Sequence, residues 1–139
     1  MVIPESAREV LESDALGHLV TINPDGSPQV SVVWVGVDGD EIIAAHIPEH
    51  RKVKNIRRDA RVVLSLETDR MNEMGLVEYL VITGTARITE GGAVQILREL
   101  AKTYIGPDAD FLPGDDVPAG YVTHITVDKV SGVGPWVKA

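Results

Sequence analysis

Hydrophobic and polar positions divide this chain into short alternating runs punctuated by turn residues. Gly17 to Asn23 (G-H-L-V-T-I-N) alternates with the period of a strand, and Pro24-Asp25-Gly26 follows as a turn. Pro28 to Val37 (P-Q-V-S-V-V-W-V-G-V) reads as one further strand, forming an antiparallel hairpin with the first. Beyond the tight turn Asp38-Gly39-Asp40, Glu41 to His46 makes a third strand and Arg61 to Glu67 a fourth. Leu76 to Thr89 is a long fifth, rich in β-branched residues, and Tyr121 to Val127 alternates as the last. Three stretches switch to helical spacing. Pro4 to about Ser13 is one, with Pro4 suited to a first helical position. A second starts at Pro48 and reaches about Arg58, with Val53 and Ile56 inward. Val94, Leu97, Leu100, Ala101 and Tyr104 mark a third, amphipathic helix. Gly106 to Gly120, full of prolines, glycines and aspartates, is expected to be a mobile loop. Six strands with short turns and three modest helices predict a mainly β (α+β) fold, an antiparallel barrel rather than a βαβ sheet.

Composition fits one ordinary globular domain over residues 1–139, with 44% hydrophobic and 24% charged residues. No apolar run reaches the roughly 20 residues that span a bilayer. The start, M-V-I-P-E-S-A-R-E, lacks the pattern of a signal peptide, so a cytoplasmic location is the expectation. The absence of cysteine excludes disulfides, a thiol nucleophile and cysteine-ligated metal.

Charge changes the picture more. The net charge of −8 disfavours nucleic-acid binding. Yet six of the 13 basic residues (Arg51, Lys52, Lys54, Arg57, Arg58 and Arg61) lie within residues 51–61, where Asp59 is the one acid. A local basic cluster on an acidic protein suggests a single anionic ligand site, against the plainer reading of a solvated helix face. Its position sharpens the suggestion. A helix N-terminus has unpaired N–H groups and a partial positive charge, which suit a phosphate. Arg51 and Lys52 add cations where the dipole ordinarily disfavours them, a mismatch that an anion between them relieves. His50 adds a further donor.

The strand–helix–strand segment from Ile42 to Val62 (I-I-A-A-H-I-P-E-H-R-K-V-K-N-I-R-R-D-A-R-V) resembles the flavin-binding split-barrel family of which pyridoxamine 5′-phosphate oxidase is the best-known member. His50-Arg51-Lys52 stands where that family has Ser-Arg-Lys at the flavin phosphate, and Asp59-Ala60-Arg61-Val62 where the next strand begins. D-G-S-P-Q-V-S-V-V-W-V resembles the strand on which the flavin ring rests. The resemblance implies a dimeric six-stranded split barrel. It places Ser31, Val32, Val33, Trp34, Ala45, His46, Ile47, His50, Arg51, Lys52, Arg57 and Trp136 about the cofactor. Ser31 and Gly36 replace the oxidase's basic residues on the second strand, and Gly134-Pro135-Trp136 replaces its C-terminal arginine pattern, so the pyridoxamine activity is not implied. R-K-x-x-N-I-R-R-D-x-R with a G-P-W ending is more similar to the actinobacterial branch that uses the deazaflavin coenzyme F420. That branch implies a cytoplasmic homodimer with cofactor at the subunit interface, transferring hydride between F420 and a small conjugated or unsaturated molecule. Lys54, Arg57, Arg58 and Arg61 suit the acidic tail of F420 better than the bare phosphate of flavin mononucleotide (FMN), the alternative cofactor.

No residue stands out as catalytic, since the cofactor carries the hard chemistry. No metal site is expected, because no H-E-x-x-H or comparable ligand spacing occurs. His18 and His124 read as structural or exposed, and Trp34 and Trp136 serve packing unless a cofactor ring rests on them. A non-catalytic carrier of a flavin-type cofactor, or of a haem degradation product, fits the same residues. So does an interaction module with a basic phosphoprotein-binding stripe.

Overall fold

A computed structural model describes residues 1–137; Lys138 and Ala139, which the single-domain expectation includes, lie outside the described residues. The elements run α1 (Glu5–Leu11), β1 (Gly17–Ile22), β2 (Pro28–Val33), β3 (Gly36–Asp38), β4 (Glu41–His46), α2 (Arg51–Arg58), β5 (Arg61–Met71), β6 (Val77–Glu90), α3 (Ala93–Tyr104) and β7 (Tyr121–Val133). All strands join one antiparallel seven-stranded sheet in the order β2-β1-β5-β6-β7-β4-β3.

The two edge strands of that sheet, β2 and β3, are consecutive in sequence and separated only by Trp34 and Val35. A linkage that short spans no more than about 11 Å. The sheet therefore curls until its edges meet at this corner, yet β2 and β3 do not pair, which leaves a slit. Inside the curl lie Leu19, Ile42, Leu64, Leu66, Leu80, Ile82 and Ile125, all fully buried. Their alternation along each strand is the sequence pattern made physical, and each contributes about 1.5–3 kcal/mol by leaving water.

Four elements differ from the sequence expectation. Pro28 to Val37 is two strands rather than one, giving seven strands in place of six. The Val35 N–H, which would continue a ladder, is donated to the Tyr104 hydroxyl of α3 (3.1 Å). The second helix begins at Arg51, not Pro48. The Pro48 carbonyl accepts the His50 N–H (3.0 Å) in a turn, and His50 is extended (φ −65°, ψ 167°). The last strand continues through the glycine-containing tail to Val133, because the 14-residue β6 is long enough to pair with it throughout. β5 runs on to Met71 rather than ending at Glu67. The 106–120 segment is a loop, as expected, and Arg98 of α3 donates from Nη2 to the carbonyls of Leu112 (2.6 Å) and Gly114 (2.7 Å).

Candidate functional site

The basic run folds into α2 because Val53 and Ile56, three residues apart, are both buried against the sheet. Asn55 lies between them, fully buried. Its Nδ2 donates to Thr21 Oγ1 and Asn23 Oδ1, both at 3.0 Å, fastening the helix to the end of β1. His50 is the N-cap residue, but no side chain caps the helix. The amides of Arg51 and Lys52 find no acceptor among the described residues. Beside them lies Lys52, only 8% exposed and with no hydrogen bond or ion pair among the described residues. Burial lowers its pKa from the usual lysine value. The stem is buried while the ammonium opens into the groove, a partly desolvated cation that an anion would complete.

Lys52 lines a groove of about 280 Å³ at the corner where the sheet edges meet. The end of β2 and the corner contribute Val32, Val33 and Trp34, while β4 and its exit contribute Ala45, His46, Ile47 and Pro48. His50 stands with Lys52 at the head of α2. Leu97 from α3 and Phe111 and Leu112 from the following loop close the other side. Trp34 stacks on Tyr104, with ring centres 5.4 Å apart and planes 8° from parallel, and meets Phe111 at 5.1 Å. Tyr104 fixes the corner in turn, its hydroxyl donating to the Ala15 carbonyl at 2.9 Å.

His46 is buried at the floor, its Nε2 2.9 Å from Thr123 Oγ1 on β7. The strand approaches this closely because residue 120 is glycine: at φ +69°, a Cβ there would lie 2.4 Å from the His46 carbonyl oxygen. Burial foremost, then the charges of Lys52 and His50, push the His46 pKa down to about 3. His50 is also lowered, by burial and then by Lys52. His46 is therefore neutral at pH 7.

The groove thus gathers Val32, Val33, Trp34, Ala45, His46, Ile47, His50 and Lys52 of the residues expected about a cofactor. Four others lie elsewhere. Arg51 is exposed and opens onto a neighbouring depression shared with Asn23, Asp25 and Gln29. Ser31 occupies β2 with its Oγ buried and unpartnered. Arg57 is bound to Glu49 and to Glu90 (3.3 Å) and lies over the Tyr121 ring. Trp136 is 5% exposed within the main core and donates its N–H to the Ser131 carbonyl at 3.1 Å. Leu97, Phe111 and Leu112 were not anticipated. Leu97 reads in sequence as a packing position; the chain's one phenylalanine inside a polar loop was the available signal. A larger depression of about 430 Å³ lies near Glu9, Asp14, Glu67 and Asp69, whose charges repel an anion.

A solved structure named F420 reductase is 26% identical over 93% of this chain and 98% of its own, with a TM-score of 0.74. A conserved hypothetical protein of Mycobacterium tuberculosis is 23% identical, with 95% and 85% covered and a TM-score of 0.70. A FAD-binding protein from Mesorhizobium loti, 19% identical, shares the fold at a TM-score of 0.63, with 94% of each chain covered. The family model described as pyridoxamine 5′-phosphate oxidase matches residues 3–134. With that match spanning every strand from β1 to β7, the chain belongs to the pyridoxamine 5′-phosphate oxidase family of split-barrel proteins.

Proposed function

We propose that this protein is an oxidoreductase that holds coenzyme F420 in the corner groove and exchanges hydride with a small conjugated or unsaturated molecule. The observation that carries the reading is Lys52, whose largely buried side chain brings an unpartnered ammonium into the groove at an uncapped helix head. A cofactor phosphate supplies the missing anion, held by the Lys52 ammonium, the Arg51 guanidinium and the free amides of the first turn. Trp34, Ala45 and Ile47 give the flat apolar wall that a fused ring system needs. When bound, the cofactor supplies the hydride chemistry. The chain's residues orient it, exclude water and keep the buried His46 uncharged at the groove floor. The F420 reductase, 26% identical over nearly the whole chain, supports the deazaflavin over other flavins.

FMN is the second reading, and one observation favours it. Arg57, Arg58 and Arg61, counted in sequence as contacts for an acidic tail, all have partners within the protein. Only Arg51 and Lys54 remain exposed and unpaired, among the described residues, to meet a tail. The protein acts as a homodimer in this reading. Val30 and Val32, 58% and 54% exposed beside the groove, are covered by the second subunit.

Fluorescence titration with F420 and with FMN tests the proposal. F420 is expected to bind more tightly. Binding of neither below about 1 mM, an affinity of about 4 kcal/mol, overturns the enzyme reading. Tight binding without reduction of any conjugated acceptor by reduced cofactor leaves a carrier instead.

A further inference from the structure

The two sides of the groove differ in chemistry. The side built by α2 carries every charged or titratable group except His46, which β4 provides. The side built by α3 and its loop carries only Leu97, Phe111 and Leu112. The backbone of that loop is held under constraint. Leu112 has φ +52°, the one non-glycine residue with positive φ among those described. The Cβ of any side chain resists this conformation, and such residues persist where surrounding contacts over-determine them, often at ligand sites. Here the contacts are explicit. Arg98 donates to the Leu112 carbonyl from both Nε (3.2 Å) and Nη2 (2.6 Å), and also to the Gly114 carbonyl. Phe111 is fixed from the other side by its ring contact with Trp34. A 15-residue loop of prolines, glycines and aspartates is thereby made to present two adjacent apolar side chains to the groove.

We infer that Phe111 and Leu112 form the wall that selects the hydride-exchanging partner of the cofactor, that Arg98 positions this wall, and that the molecule selected is flat and uncharged. The inference rests on the cofactor reading above for the word hydride, but its geometry is independent of which flavin is bound. A charged group against this side would lose its water and find no counter-ion in the lining, because Lys52 stands at the α2 side and the guanidinium of Arg98 is turned onto the loop carbonyls. A planar conjugated molecule instead packs against the apolar side chains of Phe111 and Leu112, which ask for no counter-ion. Arg98 itself does not line the groove. It acts through the two carbonyls, and glycine at 112 would take up the same backbone angle without strain but without the wall.

The test uses the full-length protein with the flat, uncharged naphthoquinone menadione as acceptor and reduced cofactor as donor. Phe111→Ala and Leu112→Gly are expected to raise KM for menadione by at least about tenfold, the scale of losing an apolar contact of this size. Cofactor affinity should fall by less than KM rises, because the phosphate grip at Lys52 lies on the opposite side of the groove. Arg98→Gln should raise KM in the same direction with kcat changed less, and Arg98→Lys should restore part of it. Unchanged KM in all three, or an equal fall in cofactor affinity, overturns the inference. Direct binding separates this result from the cofactor reading. Menadione quenching of Trp34, the half-buried one of the two tryptophans, is followed with inorganic phosphate saturating the α2 head. Quenching by menadione that Phe111→Ala abolishes, with 2-naphthoate binding more weakly, supports the wall even if neither cofactor binds. Equal quenching in wild type and Phe111→Ala, or tighter binding of 2-naphthoate, defeats it.

Discussion

The front and rear halves of the basic run behave as two different surfaces. At the front, Arg51, Lys52 and Lys54 have no internal partners among the described residues, and Lys52 is buried in that condition. At the rear, Arg57 neutralises Glu49 and Glu90. Arg58 donates to the Ile22 carbonyl and to Asn55 Oδ1, while Arg61 clasps Asp59 through Nε (3.0 Å) and Nη2 (2.7 Å). Hydrogen bonds from Arg61, before its charge, hold the Asp59 carboxyl down to about 2. Six like charges in eleven residues therefore yield three without internal partners among the described residues, and two of them, Arg51 and Lys52, are the residues whose backbone amides are also free. Proximity in sequence says how many charges a segment carries. Only the fold says which of them are already satisfied.

The sharpest way to break this contrast is to remove the front. Arg51→Gln with Lys52→Gln deletes two charged hydrogen bonds of about 1.5–3 kcal/mol each, so cofactor affinity should fall at least about 100-fold in a fluorescence titration. A loss below about threefold would mean that the phosphate lies elsewhere. Next in size is the seam that holds the front in place. Asn55→Ala strips Thr21 and Asn23 of a buried donor and should cost about 1–3 kcal/mol in urea unfolding. A change near zero would show that Val53 and Ile56 alone seat the helix.

A third prediction uses the imidazole beside Lys52. The folded pKa of His46 is about 3 against an ordinary 6.5. Its contribution to stability is complete above pH 6.5. As pH falls from there towards 3, the unfolded chain takes up a proton that the folded one refuses. Stability should then decline by up to about 1.4 kcal/mol per pH unit from this residue. Urea melts between pH 4 and 7 should show a shallower slope for His46→Gln than for wild type; equal slopes would refute the assignment. Lys52→Gln should flatten the slope less, since the lysine charge is the second cause and burial the first. The smallest effect belongs to the rear. Arg57→Gln or Arg61→Gln should leave cofactor affinity within about threefold and the urea midpoint nearly unmoved, as exposed pairs do. A tenfold loss of affinity at either would show that an acidic tail displaces the internal partners and runs along the helix.

Most of the barrel is legible in the sequence because period-two alternation and turn residues encode it locally. The hairpin at Pro24-Asp25-Gly26, the strand ending at His46 and the inward pair Val53 and Ile56 all stand where the pattern puts them. What is not legible depends on partners distant in the chain. The break at Trp34 requires Tyr104, some 70 positions away, and the length of β7 requires that of β6. The α2 side of the groove was readable because its groups are contiguous. The opposite side was not, since Phe111 and Leu112 become wall residues only through Arg98 and Trp34.

The pairing of β4 has a further consequence, for the order in which the protein matures. The strand that ends in Ala45 and His46 pairs on one flank with the three-residue β3 and on the other with β7, the last strand of the chain. A nascent chain that has emerged only as far as α3 already contains the basic helix head, but it cannot yet hold the groove floor in place. Closing residues 46 and 121 onto each other encloses the whole of α2, β5, β6 and α3 in a long loop, a slow and entropically costly step. Cofactor capture is thus placed after synthesis of β7, and a ribosome-bound chain halted at Gly120 should show no cofactor binding although it carries Arg51 and Lys52 intact.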